Sequence, residues 1–185
     1  GIDVGICVRK GFAADVLGLR THAHETLEPR QSVEWGVVSD DGGPVYLARN
    51  ALFSRDCLEL DLRVNGQTLT FMANHFKSQG KSSRRELLPP DELRTRQATR
   101  VAELVKTAQA AGKLPIVFGD LNVDDTHPQR GQSLAPLMTC GLQDSFADLP
   151  RNERWTHYYV VGQDVSRLDY ILHDPRLKRT SRAIN

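Results

Sequence analysis

Cysteine is scarce: Cys7, Cys57 and Cys140 are odd in number and widely spaced, with no Cys-x-x-Cys pair. That argues against a disulfide framework and against a structural zinc site. Long apolar runs are missing too, and nothing approaches the ~20 residues that a membrane-spanning helix needs. Charge of one sign is not in excess, because 24 Lys and Arg stand against 23 Asp and Glu. No global basic field announces nucleic acid, so any such contact is local. Internal repeats, low-complexity segments and linkers are absent. No signal peptide is visible and the chain opens directly on strand-like sequence, which leaves the compartment open between cytoplasmic and secreted. What is present is an ordinary soluble composition, 39% hydrophobic and 25% charged over 185 residues, read as one domain spanning 1–185 with room for a core.

The chain is organised around Lys113-Leu-Pro-Ile-Val-Phe-Gly-Asp-Leu-Asn-Val-Asp-Asp125. Leu114 to Phe118 is a short apolar run between Gly112 and Gly119, the pattern of a strand buried on both faces. Asp120 and Asn122 follow at alternate positions, which puts them on one side of an extended backbone. A buried strand that delivers a carboxylate and a carboxamide to its C-terminal end is building a site. A strand followed by an Asx-type turn is the structural alternative.

Elsewhere, Ile2 to Val8 reads as a strand, its even positions all apolar. Residues 11–50 read as loops with short strands at Val33 to Val38 and Val45 to Leu47. Asp56 to Val64 alternates apolar and charged residues, Asn65-Gly66 marks a two-residue hairpin turn, and Thr68 to Ala73 returns as the partner, ending at Asn74-His75. Ser78 to Asp91 reads as a polar, basic loop closed by Pro89-Pro90. Glu92 to Ala111 is predicted helical, with Ala98, Val101, Ala102, Val105 and Ala108 as its apolar stripe and Gly112 ending it. Ser133 to Cys140 reads as a short helix and Arg167 to Leu172 as a final strand. Strands interleaved with a long helix point to a layered α/β domain with a mixed sheet.

Three polar clusters therefore fall at strand ends: Asn74-His75, Asp120 with Asn122, and Asp169. Each has a structural alternative. Asn74-His75 serves equally as a strand-end cap. Asp169 interrupts a β-rich run, and Arg167 is the partner such a buried acid needs. His157 and His173 are ordinary surface or core histidines on this reading. Arg84, Arg85, Arg94, Arg96 and Arg100 fit a solvated face.

Asn74-His-Phe-Lys-Ser78, Gly119-Asp-Leu-Asn122 and Ser166-Arg-Leu-Asp-Tyr-Ile-Leu172 resemble, in order, successive motifs of the endonuclease/exonuclease/phosphatase superfamily. Gly1-Ile-Asp-Val-Gly5 and Phe53-Ser-Arg-Asp-Cys-Leu58 are weaker matches. The resemblance implies an α/β fold of the DNase I-like kind, a four-layer sandwich of two packed mixed sheets flanked by helices, with the site at one edge. Two motifs of that family have no counterpart here: an early Gln-Glu pair whose Glu binds the divalent metal, and a closing Ser-Asp-His. The resemblance thus implies a domain incomplete at both ends.

The chemistry implied is metal-dependent phosphodiester hydrolysis by in-line attack of water. Asp120 orients or deprotonates the water. Asn122 and Asn74 donate hydrogen bonds to phosphate oxygens, and His75 acts as donor or proton shuttle. Asp169, by resemblance, orients the histidine of the closing motif. Arg55 and Lys77 are phosphate contacts. The cofactor implied is Mg²⁺, with Mn²⁺ as substitute, and Asp120 and Asn122 are the metal-side residues this chain offers. A nuclease acting on DNA or RNA is the leading expectation, with the basic segment from Lys81 to Arg100 tracking the backbone. The alternatives are a phosphatase, a sphingomyelinase-type lipid phosphodiesterase, which calls for an exposed aromatic hairpin not seen in the sequence, and a non-catalytic binding module of the same fold.

Overall fold

The computed structural model of the chain describes residues 4–28, 31–40, 43–48, 50–80, 87–125 and 131–180, with backbone alone at 35–40 and 43–48. In chain order its strands are β1 (Asp15–Thr21), β2 (Trp35–Asp40), β3 (Gly43–Ala48), β4 (Cys57–Val64), β5 (Gln67–His75), β6 (Leu114–Asp120), β7 (Gln143–Asp144), β8 (His157–Tyr159), β9 (Asp164–Ser166) and β10 (Asp169–His173). The helices are α1 (Pro90–Ala110) and the single turn α2 (Ala135–Met138), which continues a 3-10 turn at Gly131–Leu134.

Alternation in β4 and β5 produces an antiparallel hairpin closed at Asn65-Gly66, both in the left-handed region (φ 50° and 77°) as a tight turn of this kind requires. β6 then joins β5 in parallel, with α1 as the crossover between them. The resulting six-stranded mixed sheet runs β1-β4-β5-β6-β10-β7, while β2-β3 and β8-β9 form separate two-stranded sheets. The expected layered α/β arrangement is therefore present in this sheet and the helices on it.

One face of the sheet carries Cys57, Met72, Val117, Tyr170 and Leu172. These meet Ala98, Val101, Ala102 and Val105 of α1 and Leu134 and Leu137 of the α2 region in one buried cluster. Each fully buried side chain of this size stabilises the fold by roughly 1.5–3 kcal/mol. The opposite face is also apolar but more open: Leu19 is 62% and Ile171 45% exposed.

Three expectations are corrected. Val4 to Val8 is not a strand, and residues 1–3 of that segment and of the Gly1–Gly5 match lie outside the described residues. Pro90 begins α1 rather than preceding it; its fixed φ and missing N–H suit the first helical turn. A strand at Asp15–Thr21 was not read, because Gly18 breaks its alternation and the pairing with β4 slips between Val16 and Gly18.

Candidate active site

The sheet register aligns three of the site residues. His75 ends β5 opposite Asp120, which ends β6, and Asp120 stands opposite Asp169, which begins β10. Paired residues point the same way, so an imidazole and two carboxylates share a row across three adjacent strands. His75 Nε2 lies 3.7 Å from Asp120 Oδ2.

After Asp120 the strand stops and the chain turns. The Asn122 N–H donates to Asp120 Oδ1 at 2.9 Å, and Asn122 takes φ 53°. This is the Asx-type turn that stood as the structural alternative. It also brings the Asn122 carboxamide back to β5, where Nδ2 donates to the Phe76 carbonyl at 3.0 Å. The site residue and the turn residue are the same. Just before the turn, Gly119 adopts φ 122°, and a Cβ there would stand 2.1 Å from the Asn74 carbonyl oxygen. Only glycine fits where β5 and β6 approach so closely.

Arg55 completes the cluster. Its Nη1 donates to His75 Nε2 at 2.7 Å and to the Phe76 carbonyl at 3.2 Å. A guanidinium only donates, so Nε2 accepts and the imidazole proton sits on Nδ1. Burial lowers the His75 pKa, and the Arg55 charge lowers it further against Asp120 and Asp169, so the ring is neutral near pH 7. Burial raises the Asp120 pKa. The Asn122 hydrogen bond opposes this, and the nearby charge of Asp169 adds to it. Lys77 holds its backbone N–H on Gln97 Oε1 and its ammonium 3.4 Å from Ser78 Oγ.

Asn74 is set apart from the row. One position before His75, it points to the other face, is 1% exposed, and donates to the Met72 carbonyl. Asp169 is exposed rather than buried, and Arg167 does not pair with it. Arg167 instead grips Asp144 through both terminal nitrogens at 2.7 Å and reaches Asp125 at 3.3 Å. The described arginines of the basic segment are committed as well. Arg94 holds the carbonyls of Lys77 and Ser78 and the Asp91 carboxylate, Arg96 bonds Glu92 and the Leu27 carbonyl, and Arg100 clasps Glu25. Lys81, Arg84 and Arg85 lie outside the described residues.

The feature that sequence reasoning missed is the β8–β9 hairpin. Tyr158, Tyr159, Val160 and Val161 are all exposed on it, Val161 by 84%, and Trp155 is exposed just before it. Its wall, from His157, Tyr159, Asp164 and Ser166, meets Asn122 and Gln79 around a cleft of about 460 Å³. The sequence signal was slight: His157-Tyr-Tyr159 is rich in strand formers but Asp164-Val-Ser166 is not, and the turn between them spans 160–163, with φ 49° at Gln163. As for a metal, no group of three or more His, Cys, Asp or Glu among the described residues could hold an ion. Asp120, Asp169 and Asn122 supply oxygen donors only.

Solved structures with the same fold include the mannosyl-6-phosphatase of Bacteroides thetaiotaomicron VPI-5482, with 18% identity and a TM-score of 0.52 over 88% of this chain and 53% of that one. An endonuclease/exonuclease/phosphatase family protein of Leptotrichia buccalis C-1013-b is similar, with 14% identity and a TM-score of 0.51 over 89% of this chain and 52% of that one. So is the human Nocturnin catalytic domain with bound sulfate anion, with 14% identity and a TM-score of 0.50 over 88% and 48%. The chain spans about half the length of these structures. The fold is the DNase I-like one. No curated protein matches the sequence significantly. A sequence model of the Endonuclease/Exonuclease/phosphatase family matches residues 10–185, motif row and hairpin included, and the chain belongs to that family.

Proposed function

We propose that this chain carries part of the active site of a divalent-metal-dependent phosphodiester hydrolase. The observation behind the proposal is the row of His75, Asp120 and Asp169 across β5, β6 and β10, with Arg55 and Asn122 converging on it. Asp120 is the water-positioning base: partly exposed, it keeps Oδ2 toward the row while Oδ1 is fixed by the turn. Neutral His75 offers an acceptor at Nε2 that Arg55 holds until an anion draws the guanidinium away. Arg55 then faces the phosphate, and Lys77 stands two residues beyond His75. Asn122 keeps its second amide hydrogen for a phosphate oxygen without adding charge.

Asp120 is the carboxylate beside which a divalent cation would bind, with waters and substrate oxygens completing the shell that this chain's own residues do not. The repulsion from Asp169 that contributes to the raised Asp120 pKa is what a bound cation would relieve, and the donors are hard oxygens suited to Mg²⁺. Asp120 and Asn122 would hold it. When bound, it supplies Lewis-acid stabilisation for charge developing on the leaving oxygen.

For the substrate, nucleic acid is the leading reading. His157 and Tyr159, which line the cleft, provide stacking faces for unpaired bases, and Tyr158 is exposed on the same strand. A lipid phosphodiester is the second reading, and one observation favours it. The hairpin that the sequence did not reveal has an apolar Val160-Val161 tip, flanking aromatics and no Lys or Arg between 155 and 166. Such a tip suits a bilayer interface. The test is hydrolysis by the full-length protein of single-stranded DNA, of phospholipid vesicles and of bis(4-nitrophenyl) phosphate, with Mg²⁺ and with chelator. Chelator-sensitive cleavage of DNA and the aryl diester is expected. Vesicle hydrolysis alone moves the assignment to lipid, and activity on none of them refutes the diesterase reading.

A further inference from the structure

Among the described residues, the bulkiest fully buried side chain is a charged one, Arg167, at 1% exposure. It forms a fork on Asp144, with Nη1–Oδ2 and Nη2–Oδ1 both 2.7 Å, and Nη1 also lies 3.3 Å from Asp125 Oδ2. The guanidinium is stacked 4.0 Å from the Tyr170 ring centroid and 5.9 Å from that of Phe146. Burial, the largest single influence, works to raise the Asp144 carboxyl; the hydrogen bonds from Arg167 and the Phe146 N–H, with the charges of Arg167 and Arg154, together outweigh it and keep the pair ionised.

Taking two charges out of water is expensive, and an apolar pair of similar volume often serves stability as well or better. What a fork on a carboxylate provides that an apolar pair does not is fixed geometry. The geometry it fixes here is that of the site. Arg167 lies two residues before Asp169. The segment that follows Asp120 is tied to it and its neighbours at four points. The Arg167 N–H donates to Asp124 Oδ1, Arg167 Nη1 to Asp125, the Leu121 N–H to the Leu168 carbonyl at 2.8 Å, and the Tyr170 hydroxyl to the Val123 carbonyl at 2.7 Å. Asn122 is in the middle of that tied segment.

We propose that Arg167, anchored on Asp144 and stacked on Tyr170, is a positioning residue: it locks the turn carrying Asp120 and Asn122 against the head of β10 and so sets the spacing of the row. It touches neither substrate nor cation. The proposal rests on the diesterase reading for its catalytic consequence.

The test uses the full-length protein with bis(4-nitrophenyl) phosphate and Mg²⁺, comparing Arg167→Lys with the apolar pair Arg167→Met/Asp144→Leu. Lysine keeps the charge and loses the fork. Its kcat is expected to fall about tenfold or more with KM within about threefold, since small misplacements cost rate rather than binding. The double variant is expected to regain a Tm near wild type while kcat stays low. Recovery of kcat together with Tm would make Arg167 merely structural. Amide exchange in Arg167→Lys supplies a readout independent of activity. The Leu121 amide is expected to exchange faster while the amides of α1 do not, and unchanged Leu121 protection overturns the proposal even if the double variant fails to fold. A wild type inactive on the diester would refute the reading of function and leave the exchange result to decide the lock.

Discussion

At the scale of single residues, His75, Asp120 and Asp169 were legible because each stands at the end of an alternating or apolar run, where a polar side chain has no packing reason to be. Asn74 and Arg167 were not legible, because their directions depend on register and on partners far along the chain. Asn74 sits beside His75 in sequence and on the opposite face in space, and Arg167 finds Asp144 rather than its neighbour Asp169. His75→Ala is expected to lower kcat by about 10²-fold, the usual scale for a proton-transfer group, with Tm held. A change confined to Tm would return His75 to a strand-end cap. Gly119→Ala is a packing prediction. With φ at 122° and the Asn74 carbonyl 2.1 Å from the new Cβ, the variant is expected to lose more than about 2 kcal/mol in urea unfolding. A midpoint unchanged from wild type would mean that β5 and β6 can separate there at little cost.

At the scale of elements, the β4–β5 hairpin and α1 followed from patterns that are purely local: charge alternation, Asn65-Gly66, and an apolar stripe at helical spacing. β1 and the β8–β9 hairpin did not. One is interrupted by Gly18, and the other exposes its apolar residues, so burial gave no period to detect. That exposure makes the hairpin separable from folding. Tyr158→Ala/Tyr159→Ala is expected to leave Tm within a few degrees of wild type. It should weaken binding of a single-stranded oligonucleotide by about tenfold or more, as loss of base stacking at ~1–3 kcal/mol per base implies. Unchanged oligonucleotide affinity would remove the stacking role and, with it, the main support for nucleic acid over lipid.

At the scale of the whole molecule, the far edge of the sheet is held by charge rather than by apolar packing. His22 bridges Glu25 at 2.7 Å and Glu59 at 3.1 Å, Arg20 reaches Glu59 and Asp61, Lys113 reaches Asp61, and Arg100 ties Glu25 to α1. Glu25, held between His22 and Arg100, is thus a structural anchor. The hydrogen bond to Glu59, aided by Glu25 and opposed by burial, raises the His22 pKa; its stabilisation is complete below the unfolded value near 6.5 and is lost as pH rises through the folded one. Glu59 is opposite in sign: burial works to raise it, but His22 and Arg20 bring it down to about 2. Its contribution is complete above about 4.5 and disappears as pH falls toward 2. Unfolding free energy from this network is therefore expected to peak between about pH 4.5 and 6.5 and to fall on both sides, by on the order of 2 kcal/mol on the acid side. His22→Gln should flatten the alkaline limb and Glu59→Gln the acid limb; limbs of unaltered slope would mean that other groups carry them. None of this edge touches the row of His75, Asp120 and Asp169, on which function is placed. The most direct measurement of that placement is kcat/KM of Asp120→Asn against wild type, in the full-length protein with Mg²⁺ and bis(4-nitrophenyl) phosphate. The change is isosteric, so Tm should hold while kcat/KM falls by at least about 10²-fold; activity within a few-fold of wild type would contradict Asp120 as the group that positions the attacking water.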